Sequence, residues 1–255
     1  MPIGIIFFGD QGSGDANQMA VSAAVSAWCN THACSTIALL GDNMYPDGVK
    51  TTDDPLWQTT FVVPYQGFTQ DFRPALGNHD YAGTPDAQVA YSAVDPRWKM
   101  PARNYEYSVG NVDLFVINTE AFDKSQRSWL RKELAGSSAT WRIVYGHRPV
   151  HSYGKHGDDD AAAALQKALT PVFSNFGVDY YFAGHDHDMQ VLSGKPLLVV
   201  AGTGGSHVRE VGTGADTLFA ASSYGFAYFS VEGDNATVEM VGTDGVVLYR
   251  HVIEK

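Results

Sequence analysis

Eight side chains able to hold a metal ion or carry a proton sit in one kind of place in this sequence, at or just beyond a glycine that ends a short apolar run. Ile3–Phe8 stops at Gly9-Asp10, Thr36–Leu40 at Gly41-Asp42, and Phe72–Leu76 at Gly77-Asn78. Trp141–Tyr145 stops at Gly146-His147 and Val178–Ala183 at Gly184-His185. Tyr45, His79 and His187 follow within three residues of Asp42, Asn78 and His185. One glycine–polar pair is ordinarily a turn; five that carry Asp, Asp, Asn, His and His form a pattern. The set offers carboxylate, imidazole, amide and phenol but no thiolate, which suits borderline-to-hard cations such as Fe, Mn or Zn. Eight donors are more than one ion needs and suit two ions sharing a bridging carboxylate. Two cations about 3.5–4 Å apart are a common arrangement for displacing an oxygen from phosphorus in line.

For these residues to meet, the apolar runs must be neighbouring strands whose carboxyl ends face one crevice, where open α/β sheets place their ligands. Glycine at each strand end lets the backbone turn sharply and approach closely without a Cβ clash. Ala16–Trp28 has small and apolar residues at helical spacing. Asp123 with Gln126 three residues on reads as a capping box opening a helix that shows Trp129, Leu130 and Leu134 on one face. Asp158–Phe176 reads as a helix with an acidic start, which Pro171 is expected to break or restart. Leu114–Ile117 is a further strand. From Pro196 the texture changes, and Leu197–Ala201, Gly225–Val231, Thr237–Val241 and Val246–Val252 read as antiparallel sheet. The expected fold class is α/β (α+β by some schemes), a two-sheet mixed β-sandwich flanked by helices, with residues 1–255 as a single domain.

The chain has 255 residues, 44% hydrophobic and 18% charged, a balance that excludes a disordered chain. Acidic residues outnumber basic ones by 28 to 17, a net charge of −11, and no basic cluster points to nucleic acid. No apolar run reaches the ~18–20 residues of a membrane span, so membrane insertion is not expected. Cys29 and Cys34 can close a small local loop but cannot supply a disulfide framework or a structural zinc site. No signal peptide is visible after Met1-Pro2. The expected compartment is therefore the cytoplasm, or the periplasm or exterior if a leader was removed. A monomer is the expected state.

Gly9-Asp10-Gln11-Gly12, Gly41-Asp42-Asn43-Met44-Tyr45, Gly77-Asn78-His79-Asp80, Gly146-His147 and Gly184-His185-Asp186-His187 resemble, in order, the five blocks of calcineurin-like metallophosphoesterases. The tyrosine in the second block narrows the resemblance to purple acid phosphatases, and the chain most resembles their small, tartrate-resistant, single-domain type, from Gly9 to Gly225-Phe226-Ala227-Tyr228. The resemblance implies the metallophosphoesterase fold and a ligand set. Asp10, Tyr45 and His187 would hold a first ion and Asn78, His147 and His185 a second, with Asp42 bridging. It implies Fe(III) at the Asp10/Asp42/Tyr45/His187 site and Fe(II), Zn(II) or Mn(II) at the Asp42/Asn78/His147/His185 site. That division agrees with donor chemistry, since phenolate and carboxylates suit a ferric ion while imidazoles and an amide suit a divalent one. Many relatives outside this subgroup carry a histidine two residues after the first aspartate; here that position is Gly12.

Such an ion pair outweighs its anionic ligands, so a net positive centre can hold a phosphate dianion even in an acidic protein. The expected activity is acid phosphatase hydrolysis of phosphate monoesters by attack of a metal-bound hydroxide, with small phosphorylated substrates and inorganic phosphate as partners. His79 and His156 stand where the resemblance places outer histidines, and either imidazole can protonate a leaving alkoxide at mildly acid pH. Asp80 either orients His79 or closes a turn. His151, His32, His207 and His251 read as loop or structural residues. The short passage from Asn118 to the Asp123 helix lacks the cleavable insertion of the mammalian-type enzymes, which implies an open site needing no proteolytic activation. The alternatives are a phosphodiesterase or nucleotidase of the same fold, or a catalytically inactive binding protein.

Overall fold

The computed structural model describes residues 3–255. The chain opens with β1 (Ile3–Phe8), α1 (Ala16–Cys29), β2 (Thr36–Leu39) and β3 (Asp71–Pro74). Two short helices follow, α2 (Asn78–Ala82) and α3 (Pro85–Tyr91), then the hairpin β4 (Tyr105–Val109) and β5 (Val112–Val116). Next come α4 (Lys124–Gly136), β6 (Trp141–Tyr145), α5 (Asp160–Phe176) and β7 (Tyr180–Ala183). The remainder is strand: β8 (Met189–Leu192), β9 (Leu197–Ala201), β10 (Thr217–Ala221), β11 (Gly225–Glu232), β12 (Asn235–Gly242) and β13 (Val247–Glu254).

These strands form two mixed sheets, ordered β13-β12-β11-β1-β2-β3 and β10-β8-β9-β7-β6-β5-β4. Each has a parallel half, β1-β2-β3 in one and β5-β6-β7-β9 in the other. Parallel strands covered on both faces read as continuous apolar runs, which is why these segments were legible. The inner faces meet where Phe7 stacks on Phe182, ring centroids 3.9 Å apart, and where Tyr180 meets Phe229 edge-on at 5.1 Å. Each such ring, fully buried, contributes roughly 1.5–3 kcal/mol.

The two-sheet sandwich agrees with expectation, and several details differ. Leu197–Ala201 belongs to the second sheet and runs parallel to β7, because it returns after the β8 hairpin. Strands β4, β8 and β10 have no long apolar run and escaped the reading. Asp123 caps α4 by accepting from Gln126 N at 2.8 Å, but the Gln126 side chain turns to Asn118, accepting from its N–H at 2.7 Å. The box is half formed, and its other half ties α4 to the end of β5. Pro171 does not break α5, which runs unbroken from Asp160. Leu165, Leu169, Val172 and Phe173 are buried along its inner face and offset the ~3 kcal/mol a helix-interior proline costs. Cys29 and Cys34 form a disulfide at the end of α1.

Candidate metal centre

Strands β1, β2, β6 and β7 and the segment after β3 end at one edge of the sandwich, and their loops are stitched together by backbone. Asp10 N donates to the Gly41 carbonyl and Gly184 N to the His147 carbonyl, each at 2.9 Å. Asp10 Oδ2 accepts from His185 N and Asp42 Oδ1 from His79 N, each at 2.8 Å. This close approach needs glycine. A Cβ on Gly77 would lie 2.2 Å from Asp42 Oδ1, and one on Gly184 2.4 Å from Asp10 Oδ2. Asp10, Asp42 and His185 take the left-handed backbone, with φ of +58°, +53° and +68°, and no other non-glycine among the described residues does. Asp and His tolerate this region better than most residues, yet each instance costs about 1–3 kcal/mol and persists only where its surroundings enforce it.

The seven residues assigned to metal by resemblance come together. Tyr45 Oη lies 3.0 Å from Asp10 Oδ1, 3.1 Å from Asp42 Oδ2 and 3.3 Å from His187 Nε2. His147 Nε2 lies 3.2 Å from Asn78 Oδ1, 3.1 Å from His185 Nδ1 and 3.4 Å from Asp42 Oδ2. Asp42 Oδ2 thus belongs to both groups. His147 Nδ1 donates to the Leu40 carbonyl and His187 Nδ1 to the His207 carbonyl, both at 2.9 Å, so each ring turns Nε2 to the cluster. Backbone acceptors on the far nitrogen are the usual way a ligating imidazole is oriented.

The charges here are unbalanced without a cation. Asp10, Asp42, His147, His185 and His187 are all buried. Burial alone would raise the Asp42 carboxyl, yet the adjacent His147 and His79 imidazoles hold it at about 2. Against the pull of burial, Asp42 pushes His147 up to about 10. Burial, then the Asp10 and Asp42 charges, drive the Tyr45 phenol far above its ordinary value. Burial, with His147 and Arg148 beside it, keeps His185 neutral. A bound cation inverts this logic, since it stabilises carboxylate and phenolate and replaces the imidazole proton. The donor set fits metal ions. The donor atoms of Asp10, Asp42 and His147 lie within 4.8 Å of one another, as do those of His156, Asp159 and His185.

A pH dependence follows. His147 has a folded value above its ordinary 6.5, so its stabilising contribution is complete below about 6.5 and is lost as pH rises through about 10. His187 shifts in the same direction, while the opposite shift of Asp42 acts only below about 3.8. Chelator-stripped protein is therefore expected to lose unfolding free energy between pH 6.5 and 10. Metal-loaded protein, whose imidazoles carry no such proton, is expected to lose far less. Urea titrations of both forms across that range check this, and parallel pH profiles would count against it.

His79 and His156 line the 220 Å³ cleft over the cluster, together with Lys155 and Arg209. His79 Nδ1 donates to the Pro46 carbonyl, and its Nε2 lies 3.9 Å from Asp42 Oδ2. His156 Nδ1 pairs with Asp159 at 2.9 Å and its ring packs on His185, centroids 4.2 Å apart. The Asp80 carboxylate forms no hydrogen bond with the His79 ring. It accepts from Gly77 N, Asn43 N and Gln88 Nε2, joining the second and third loops. Of the other histidines, His32 stacks on Trp28 at 3.8 Å, His151 pairs with Asp216 at 3.2 Å, and His207 gives its carbonyl to His187 Nδ1. Sequence reasoning missed Arg148, which grips Glu120 with two nitrogens at 2.8 Å and sets Nη1 2.9 Å from His185 Nε2. It also missed Lys155 and Arg209. Position gave a signal for two of these, since Arg148 follows His147 and Lys155 precedes His156. A larger cavity of about 630 Å³ between α1 and residues 243–245 is lined by four alanines and Trp28, with His32 and Asp244 as its only titratable residues.

Comparison with known proteins agrees with this geometry. Residues 5–189 match the pattern of the calcineurin-like phosphoesterases. The chain is 30% identical to tartrate-resistant acid phosphatase type 5 of Sus scrofa over 92% of this chain and 80% of that one. It is 29% identical to purple acid phosphatase 17 of Arabidopsis thaliana over 75% of this chain and 64% of that one. The fold is shared with GAP50, described as the anchor in the inner membrane complex of Plasmodium (TM-score 0.90, 23% identity, covering 99% of this chain and 89% of that one). Purple acid phosphatase PPD1 of yellow lupin also shares it, with a TM-score of 0.83 at 16% identity, over 100% of this chain and 54% of that one. With five glycine-ended loops gathering one donor cluster and a match across most of its length, the chain belongs to the calcineurin-like phosphoesterase family.

Proposed function

We propose that residues 1–255 act as one domain that hydrolyses phosphate monoesters at a dinuclear centre. Asp10, Tyr45 and His187 would hold Fe(III), Asn78, His147 and His185 a divalent Fe, Zn or Mn ion, and Asp42 both. The single observation carrying this reading is Asp42 Oδ2, which lies within 3.4 Å of both Tyr45 Oη and His147 Nε2. When bound, such a pair of cations activates water and neutralises charge on phosphoryl oxygens. The chain's own part is to orient substrate and supply a proton. His79 ties Nδ1 to the Pro46 carbonyl, which leaves Nε2 to contact a phosphoryl or leaving-group oxygen, while His156, with Nδ1 on Asp159, reaches substrate when its Nε2 parts from Arg209. The cleft is open, with only the short turn Thr119–Ala121 between β5 and the α4 cap.

The test is purified protein assayed for bound metals, visible absorption and release of p-nitrophenol from its phosphate. The expected result is iron with a tyrosinate–ferric absorption band, and turnover of the monoester well above that of bis(p-nitrophenyl) phosphate. Preference for the diester would favour a phosphodiesterase. Likeness to GAP50 motivates a second reading, a binding protein on the same fold, because fold alone does not fix function. Protein that takes up no metal and turns over neither ester would support it.

A further inference from the structure

The cleft over the donor cluster is not lined by metal donors alone. Lys155 and Arg209 also border it, and among the described residues neither takes part in an ion pair. Their placement has a direction. His185 packs on His156, and the Nε2 of His156 faces Arg209 Nη1 at 3.3 Å, so the three side chains are in successive contact along the cleft. Asp159 accepts from His156 Nδ1, and the Nε2 of the same ring faces the guanidinium. The backbone N–H of Arg209 donates to the His187 carbonyl at 2.8 Å, which fixes the base of that side chain beside the cluster. Lys155 is solvent-exposed, next to His156.

Two unpaired cations beside a centre that itself gathers metal cations repel it at short range. In a chain where acidic residues outnumber basic ones 28 to 17, carboxylates are plentiful, yet Asp159 is engaged by His156 and Asp42 by the donor cluster, and neither forms an ion pair with Lys155 or Arg209. A local charge conflict of this kind is characteristic of functional sites, where a ligand resolves it. A phosphate dianion held at the donor cluster would be matched there by the metal ions, which leaves Lys155 and Arg209 free for a second anionic group.

We infer that Lys155 and Arg209 form a second anion subsite, and that the preferred substrates are phosphate monoesters whose leaving group carries a further anionic group. This rests on the proposed phosphate site at the donor cluster. The guanidinium supplies a planar fork and the ammonium a mobile point charge, a combination suited to one carboxylate or phosphate at the far end of a small molecule.

The test compares binding of phenylphosphonate and 4-phosphonobenzoate, which differ by one carboxylate and are not hydrolysed, by calorimetry on the full chain with its metals. The carboxylate form is expected to bind about fivefold to tenfold tighter, the scale of a partly exposed charge-assisted contact. The ratio is expected to fall to about one when Lys155→Gln and Arg209→Gln are combined. Lys155→Glu, at an exposed position tolerant of change, is expected to lower it below the wild-type value. Equal affinity in the wild type, or a preference that survives both substitutions, overturns the subsite. Hydrolysis of phenyl phosphate is measured in parallel. If that ester is not turned over while 4-phosphonobenzoate still binds tighter and the variants lose the preference, the subsite stands and the hydrolytic reading falls.

Discussion

Asp42→Asn is expected to lower phosphate monoester turnover by about 10³-fold, equivalent to ~4 kcal/mol of transition-state stabilisation, and to reduce the metal retained per chain. The substitution isolates charge from shape. Asparagine tolerates the left-handed backbone that Asp42 adopts at φ +53°. Its side-chain oxygen can still accept from His79 N, the bond now made to Asp42 Oδ1 at 2.8 Å. The other atom becomes an NH₂ where Oδ2 now lies 3.1 Å from Tyr45 Oη and 3.4 Å from His147 Nε2. A donor cannot hold a cation, so both groups lose the oxygen they share. Steady-state kinetics with elemental analysis checks this. A variant with unchanged metal content and turnover would remove Asp42 from the bridging role.

Gly12→Ala is expected to destabilise the fold by about 3 kcal/mol, the upper end of ordinary overpacking. A Cβ at residue 12 would fall 2.0 Å from the Asn43 carbonyl oxygen and 2.6 Å from Met44 Cα, both backbone atoms with little freedom to move. The same contact holds Tyr45 in place, since Tyr45 N donates to the Gly12 carbonyl at 2.9 Å. For a chain of this size a loss of that order lowers the thermal midpoint by about 6–12 °C. Calorimetry of wild type and variant measures it, and an unchanged midpoint would show that the loop relaxes freely. This packing also explains the absence of the histidine that many relatives carry two residues after the first aspartate. The loop that delivers the Tyr45 phenol fills the space a side chain at residue 12 would need.

How far the sequence determined this protein can be read residue by residue. Continuous apolar runs ending in glycine marked β1, β2, β6 and β7, because strands covered on both faces need nothing else. Asp10, Asp42, His147 and His185 stood out because each follows a strand end within three residues, while Tyr45, Asn78 and His187 lie further along their loops and were picked out by their place in the motifs. Residues in loops far from such ends were not. Arg209 reaches the site only because the segment after β9 folds back on His187, and no local pattern encodes that return. Asp80 could not be assigned between two roles until Gly77, Asn43 and Gln88 were seen to use up its carboxylate. The parallel pairing of β9 with β7, the continuity of α5 through Pro171 and the gathering of five loops within hydrogen-bond distance were decided by packing between distant segments. Local propensity fixes the elements and their ends; only the burial of one sheet against another fixes which ends meet.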